Sequence, residues 1–163
     1  MHASSNDLMR NFIREHLADR ESLSVADVGS CNVNGSYKPL FDRPDWSYSG
    51  FDQSAGPNVD HVCDCEQTIH SEYCGQFDLV ISGQTMEHVR RPWLWMQGVV
   101  QLAKPGGLVF VIAPNTFAFH EYPIDCWRVW PDGMRAVMED AGLMVLKAGH
   151  VGIDTDGLGE KRA

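Results

Sequence analysis

A chain of 163 residues accommodates one domain with one hydrophobic core, expected to span 1–163, and leaves little room for a second. Hydrophobic residues at 44% and charged residues at 21% are ordinary globular usage and argue against a disordered chain. The formal net charge of -9, from 13 basic and 22 acidic residues, repels a polyanion and removes nucleic acid from the expected partners.

The N-terminus, MHASSNDLMRNF, has no basic region leading into an apolar stretch, and no apolar run approaches the ~20 residues that span a bilayer. The expectation is a cytoplasmic protein without a membrane partner. Leu8, Phe12, Ile13 and Leu17 recur at helical spacing and predict a helix over 5–18, with Ser4 or Ser5 available as its cap. LSVADVG (23–29) then reads as a short strand, followed after a loop by WSYSGFDQ (46–53) and the brief HVCD (61–64). FDLVISG (77–83) is a fourth strand, and 85–103 carries a helical pattern behind it. KPGG (104–107) breaks that pattern before LVFVIAP (108–114), the most continuous strand signal in the chain. A helix over 130–142, closed by Gly142, precedes a sixth strand at 143–149. The tail, VGIDTDGLGEKRA, is compatible with a short last strand or with a frayed end.

Strands alternating with helices indicate an α/β, Rossmann-like, doubly wound and mostly parallel sheet of six to seven strands, covered on both faces as a three-layer sandwich. The five cysteines, at 31, 63, 65, 74 and 126, are odd in number and form no CxxC pair. They read as reduced, half-buried thiols rather than as a disulfide framework or a four-cysteine zinc site. Cys63 and Cys65 would share one side of a strand.

In such sheets ligands bind beyond the carboxyl ends of the strands, where the strand order reverses. The polar groups predicted there are the ADVGSCNVNGSY loop, Asp52, Asp64, Ser82 to Gln84, and Asn115. An acid at the end of the second strand, Asp52, is suited to accept hydrogen bonds from two ribose hydroxyls. Asp64 could accept from the exocyclic amine of adenine. The loop from Gly29 reads G-S-C-N-V-N-G and lacks the second glycine of a dinucleotide fingerprint, so a pyrophosphate fits it poorly. Adenosine carrying a short, phosphate-free chain fits better, and S-adenosylmethionine is such a ligand.

With these residues the chain resembles the class I S-adenosylmethionine-dependent methyltransferases, especially small bacterial members with a D-V-G-S-x-x-x-N-G-S loop. The resemblance rests on Asp27-Val28-Gly29-Ser30 with Asn34-Gly35-Ser36, on Tyr48 to Asp52 with the turn Gly56 to Asp60, on Phe77 to Ser82, on Met86-Glu87-His88-Val89, and on Leu102 to Gly107. It implies that Gly29, Ser30 and Gly35 let the loop lie against the methionine part of the cofactor, with Asp27 orienting its ammonium. It further implies Asp52 and Gln53 at the ribose, Asp64 and Cys65 at the adenine, and Ser82 and Gln84 at the methionine end.

The acceptor side is expected in NTFAFHEYPIDCWRVWP (115–131), a segment dense in polar and aromatic groups directly after the fifth strand. A hydroxyl acceptor must lose its proton as the new bond forms, and His120 is the first candidate base, His88 the second. Asp125 is a third candidate catalytic group, or else the partner of Arg128 in a structural ion pair, while Trp127 and Trp130 read equally as core-closing residues. His120, Glu121 and Asp125 could ligate a divalent metal, but their spacing does not single them out and no metal ligand is assigned.

The expected function is O-methylation of a hydroxyl on a sugar or secondary metabolite, free or carrier-bound. A nucleotide-dependent oxidoreductase is disfavoured by the missing glycine. A non-catalytic cofactor-binding or scaffold domain is the alternative from another class. No extra helices that would cap the acceptor site are evident, which leaves an open site or one closed by a second subunit. In the second case the apolar face of the first helix, with Phe12, is the candidate homo-oligomer contact.

Overall fold

The computed structural model describes residues 3–67 and 71–162. Its elements are α1 (Ala3–His16), β1 (Leu23–Val28), β2 (Trp46–Asp52), β3 (His61–Val62), β4 (Phe77–Gly83), α2 (Pro92–Leu102), β5 (Ala103–Pro114), α3 (Pro131–Asp140), β6 (Leu143–Val151) and β7 (Asp154–Lys161). The strands form one sheet in the order β3-β2-β1-β4-β5-β7-β6. β1 to β5 pair in parallel, and β7 runs antiparallel between β5 and β6. The chain winds outward in one direction through β1, β2 and β3 and in the other from β4, so the strand order reverses between β1 and β4. A crevice opens at such a reversal.

Period-two alternation sorts the apolar residues of the central strands onto two faces. Val25, Leu79, Ile81, Phe110 and Ile112 meet Leu8, Met9, Phe12 and Ile13 of α1, together with Tyr37 and Phe41 beside a short 3-10 turn. Ala26, Val28, Val80, Val109 and Val111 meet Trp95, Met96 and Val99 of α2 and Met134 and Met138 of α3. Both faces are covered, as a parallel sheet requires. No helix among the described residues is long and apolar enough to cross a membrane.

Four expectations change. The helix predicted over 85–103 starts only at Pro92, because Arg91 is held outside the helical region (φ -127°, ψ 78°) by the proline that follows, and proline suits the first helical position. Residues 86–88 form a separate 3-10 turn at the end of β4, which frees Glu87 and His88 from the helix. KPGG does not precede the fifth strand but lies within it. Ala103 pairs with Phe77, pairing resumes at Leu108 with Leu79, and an irregularity absorbs the residues between. The tail is a full strand, β7. Finally, the apolar face of α1 is not open to a second subunit, since Phe12 is 3% exposed and stacks on Phe110 at 4.2 Å. Phe12→Ala is therefore expected to cost about 3–5 kcal/mol in denaturant unfolding, the usual range for a buried phenylalanine. An unchanged midpoint would show that α1 does not hold this face of the sheet.

Candidate active site

A cavity of about 640 Å³ lies at the carboxyl ends of β1, β2 and β4. Gly29, Ser30, Asp52 and Asp64 line one end, and His88, Phe117, His120 and Tyr122 the other.

The loop after β1 consumes its own amides. The N–H groups of Gly29 and Ser30 both donate to the Phe51 carbonyl, at 2.8 and 3.1 Å. Cys31 N–H donates to Asp52 Oδ2 at 3.1 Å, Asn32 N–H to the Pro57 carbonyl at 2.9 Å, and Gly35 N–H to Asn32 Oδ1 at 3.0 Å. Ser30 Oγ donates to the Asn58 carbonyl, and Asn58 Nδ2 donates back to the Ser30 carbonyl. A phosphate-binding loop keeps such amides free for the anion; here they are spent on the fold, which suits a cofactor without phosphate. Gly29 has φ +81°, and a Cβ there would lie 2.0 Å from Thr85 Oγ1, so glycine is required on both counts.

Asp27 is buried, accepts a hydrogen bond from the Tyr48 hydroxyl, and is pushed up to about 7, chiefly by burial. Asp52 is half-buried, its Oδ2 on Cys31 and its Oδ1 accepting from Ser54 N–H at 3.3 Å. Gln53, beside it, also lines the cavity. Asp64 and Cys65 line it as well, but β3 ends at Val62, so the Cys63 to Cys65 stretch lies beyond the strand. The Asp64 carboxylate accepts from Glu66 N–H at 2.9 Å and Gln67 Nε2 at 2.7 Å, closing its own turn. The thiols of Cys63 and Cys65 do share one side, where their mutual hydrogen bond holds Cys63 down at about 7.

Two predicted site residues stand elsewhere. Ser82 is fully buried, and its Oγ donates to the Val28 carbonyl at 2.6 Å, tying β4 to β1 rather than facing the cavity. Asp125 does not line the cavity either. Its side chain is 1% exposed and accepts from both terminal nitrogens of Arg128, at 2.6 and 2.7 Å, and from His120 N–H at 2.7 Å. That pairing holds Asp125 well below the usual carboxylate range, the wrong direction for a base at neutral pH. It is the structural ion pair, and it removes Asp125 from the metal set considered with His120 and Glu121. Trp127 and Trp130 do not close the core, being 38% and 53% exposed.

Gln84 does reach the cavity, with φ +59°, and its Nε2 donates to Asp154 Oδ1 of β7 at 2.9 Å. Tyr37, the last residue of the predicted loop, packs against Gly83, and Asp154 is a supporting residue that the sequence does not disclose. Glu87, in the E-H-V stretch, is a further group here that the sequence does not mark as a site residue. It is fully buried, neither carboxylate oxygen has a hydrogen-bond partner, and burial pushes it up to about 8.

The two histidines come together, ring centroids 5.0 Å apart and edge to face. His88 Nδ1 lies 2.6 Å from the Ile124 carbonyl, so it carries the proton and Nε2 keeps the lone pair. Burial lowers the His88 pKa. His120 Nδ1 faces the Ala118 carbonyl at 3.2 Å, which likewise leaves Nε2 free. The segment bearing His120 is docked by Cys126 N–H on the Glu87 carbonyl at 2.8 Å and by Trp127 Nε1 on the Val89 carbonyl at 2.8 Å.

Comparison with known proteins agrees with this geometry. A methyltransferase-domain family model matches residues 26–111, more than half of the chain. Ubiquinone biosynthesis O-methyltransferase of Erwinia tasmaniensis is 28% identical over 123 residues, covering 68% of this chain and 50% of the relative. The protein of that name from Escherichia coli O127:H6 is 38% identical over 61 residues, covering 37% of this chain and 25% of the relative. The chain thus spans half or less of these relatives. Among solved structures, the 1,6-didemethyltoxoflavin-N1-methyltransferase of Burkholderia thailandensis aligns with a TM-score of 0.77 at 11% identity, over 98% of this chain and 79% of that one. The [4+2]-cyclase SpnF aligns at 0.74 and 12% identity, over 97% and 81%. These structural likenesses show the fold, and the pair of them shows that the fold does not fix the reaction. The family match over residues 26–111, which takes in the loop at the switch point, together with a seven-stranded sheet of this strand order, places the chain in the methyltransferase-domain family, as a class I S-adenosylmethionine-dependent member.

Proposed function

We propose that the chain transfers a methyl group to a hydroxyl on a ring-bearing small metabolite, free or attached to a carrier. The carrying observation is one continuous cavity with unlike ends: a phosphate-free loop with Asp52 at one, and two imidazoles with free lone pairs beside Phe117 and Tyr122 at the other. The names of the two curated relatives support oxygen as the methylated atom. The aromatic lining favours a flat or apolar ring over a sugar.

When bound, S-adenosylmethionine supplies an electrophilic methyl on a sulfonium, displaced in line with its electron pair returning to sulfur. The chain's contribution is position and proton handling. Asp52 would hold the ribose hydroxyls, and Gly29 would admit the methionine part close to the backbone. Asp27 would meet the ammonium, and Gln84, fixed by Asp154, would border the reacting end. The acceptor hydroxyl sits at the His88–His120 end, where ring nitrogens draw on its proton.

Calorimetric titration with S-adenosylmethionine and, separately, with NAD tests the cofactor half of this reading. The expected result is saturable binding of the first alone, weakened about 10- to 100-fold in Asp52→Ala, as the loss of charge-assisted hydrogen bonds predicts. Acceptors with hydroxylated rings are then screened by thioether product formation. Binding of neither ligand would sink the enzyme reading in favour of a scaffold domain.

A further inference from the structure

Behind His88, at the acceptor end of the cavity, lies a buried group that methyl transfer by position alone does not use. Glu87 has 0% exposure and no hydrogen-bond partner on either oxygen, a costly state for a carboxylate. Its Oε1 lies 3.6 Å from His88 Nε2, close to the separation of two ligands sharing a cation at ~2.1 Å. One ligand atom each from Glu87, His88 and His120 lies within 4.8 Å of the others.

The outer contacts of the two imidazoles suit the same purpose. Metal-bound histidines characteristically donate their second ring N–H to a carbonyl or carboxylate, which fixes the tautomer and the ring plane. His88 Nδ1 faces the Ile124 carbonyl at 2.6 Å. His120 Nδ1 faces the Ala118 carbonyl at 3.2 Å and Asp125 Oδ2 at 3.5 Å. The nearby Arg128 charge is matched by its two bonds to Asp125, so it does not cancel the attraction of Glu87 for a cation.

We propose that Glu87, His88 and His120 form a binding site for one divalent transition-metal ion, with its remaining coordination positions open to the acceptor half of the cavity. Two imidazoles and one carboxylate suit zinc, cobalt, manganese or iron(II) and disfavour magnesium and calcium, which take oxygen ligands. Binding of the ion requires these ligand atoms, within 4.8 Å of one another, to draw together around it. It gives Glu87 the partner it lacks.

The catalytic use of this ion rests on the O-methyl transfer reading; its binding does not. In that use the two imidazoles serve as ligands in place of direct proton acceptors: the acceptor hydroxyl coordinates the ion and becomes more acidic, and its proton leaves to solvent water. The oxygen–methyl bond forms as the methyl–sulfur bond breaks, with that electron pair passing to sulfur.

The test is titration of the chelator-stripped protein with Co²⁺, read by its visible absorption, and with Zn²⁺, Mn²⁺ and Mg²⁺ by calorimetry. One equivalent of Co²⁺ or Zn²⁺ is expected to bind, with Mg²⁺ much weaker. Glu87→Gln and His120→Ala should each weaken Co²⁺ binding at least ~10-fold, the scale on which changes around metal sites act. Glu139→Gln, on α3, should leave it unchanged. Glu87→Gln keeps the shape of a buried carboxyl that has no hydrogen-bond partner, so its fold should persist, and His120 sits on a partly exposed segment. Absent binding, equal binding in both variants, or a preference for Mg²⁺ overturns the site. Metal binding without S-adenosylmethionine binding leaves the site standing and fails the functional reading, and the reverse pattern does the opposite.

Discussion

At pH 8 and without cofactor, Asp27→Asn is expected to melt several degrees above the parent chain. The Asp27 carboxyl lies 4% exposed at the end of β1, and burial raises it from its ordinary value of 3.8 to about 7, against the lowering effect of the Tyr48 hydroxyl. The folded state therefore binds this proton more tightly than the unfolded chain. The stability contributed by the protonated form is fully present below about pH 4 and is lost as pH rises through about 7. At ~1.4 kcal/mol per unit, the parent forfeits roughly 2–4 kcal/mol across that window. For a chain of this size that corresponds to roughly 5–15 °C. Asparagine keeps the acceptor for Tyr48 and carries no charge, so the loss disappears. The gain should shrink at pH 5, and thermal melts at the two pH values measure it. A variant that is less stable than the parent at pH 8 would refute the argument. The same substitution should weaken S-adenosylmethionine binding, because the ammonium loses its counter-charge. In the parent, binding near pH 6 should release about one proton, seen as different calorimetric heats in buffers of different ionisation enthalpy.

The second large effect is expected at Arg128. Its guanidinium spans the acceptor segment, donating to Asp125 at 2.6 and 2.7 Å, to the Phe117 carbonyl at 3.2 Å, to the Ala118 carbonyl at 3.1 Å and to the Trp127 carbonyl at 2.7 Å. Arg128→Ala leaves the Asp125 side chain, 1% exposed, without its partner and should cost about 3 kcal/mol. Asp125 then no longer fixes the His120 amide, and hydrogen exchange at that amide should accelerate first. Turnover should fall on the order of 10²-fold through loss of position, while cofactor affinity, which depends on the opposite end of the cavity, stays unchanged. Lysine should recover little, since a point charge cannot span five acceptors in a plane. Equal losses of turnover and cofactor affinity would show that the two ends of the cavity are not independent.

The cofactor half was the more legible part of the site. Asp27, Gly29 and Asp52 follow strongly apolar, β-branched or aromatic runs, and the rule for strand ends places them on one rim whatever the intervening loops do. The acceptor half was legible in composition but not in role. His120 and Asp125 stand five positions apart in a loop, and only the fold shows that one faces the cavity while Arg128 holds the other away from it. Glu87 was hidden because helical periodicity runs across 85–103 and takes it into a helix, whereas Pro92 sets the true start. β7 was hidden for another reason. DTDGLGEK shows no alternation of apolar and polar residues, yet six of its positions are buried. Its burial comes from Gly157, where a Cβ would lie 2.5 Å from Met134 Cγ, so α3 packs directly on the bare backbone.

The place of β7 also bears on how the protein is made. Synthesis delivers β5 and β6 before residues 154–161, yet these two strands meet only through β7. Until β7 emerges from the ribosome, each presents an unpaired edge, the kind of surface on which nascent chains associate with one another. Ser4 of α1 donates to Asp154 Oδ2 at 2.5 Å, so the first helix finds this fastening only 150 residues further along the chain. Gln84 waits for the same carboxylate. The rim around the cavity is thus completed only once β7 has been made, and a chain stalled before residue 154 would leave β5 and β6 with unpaired edges open to association.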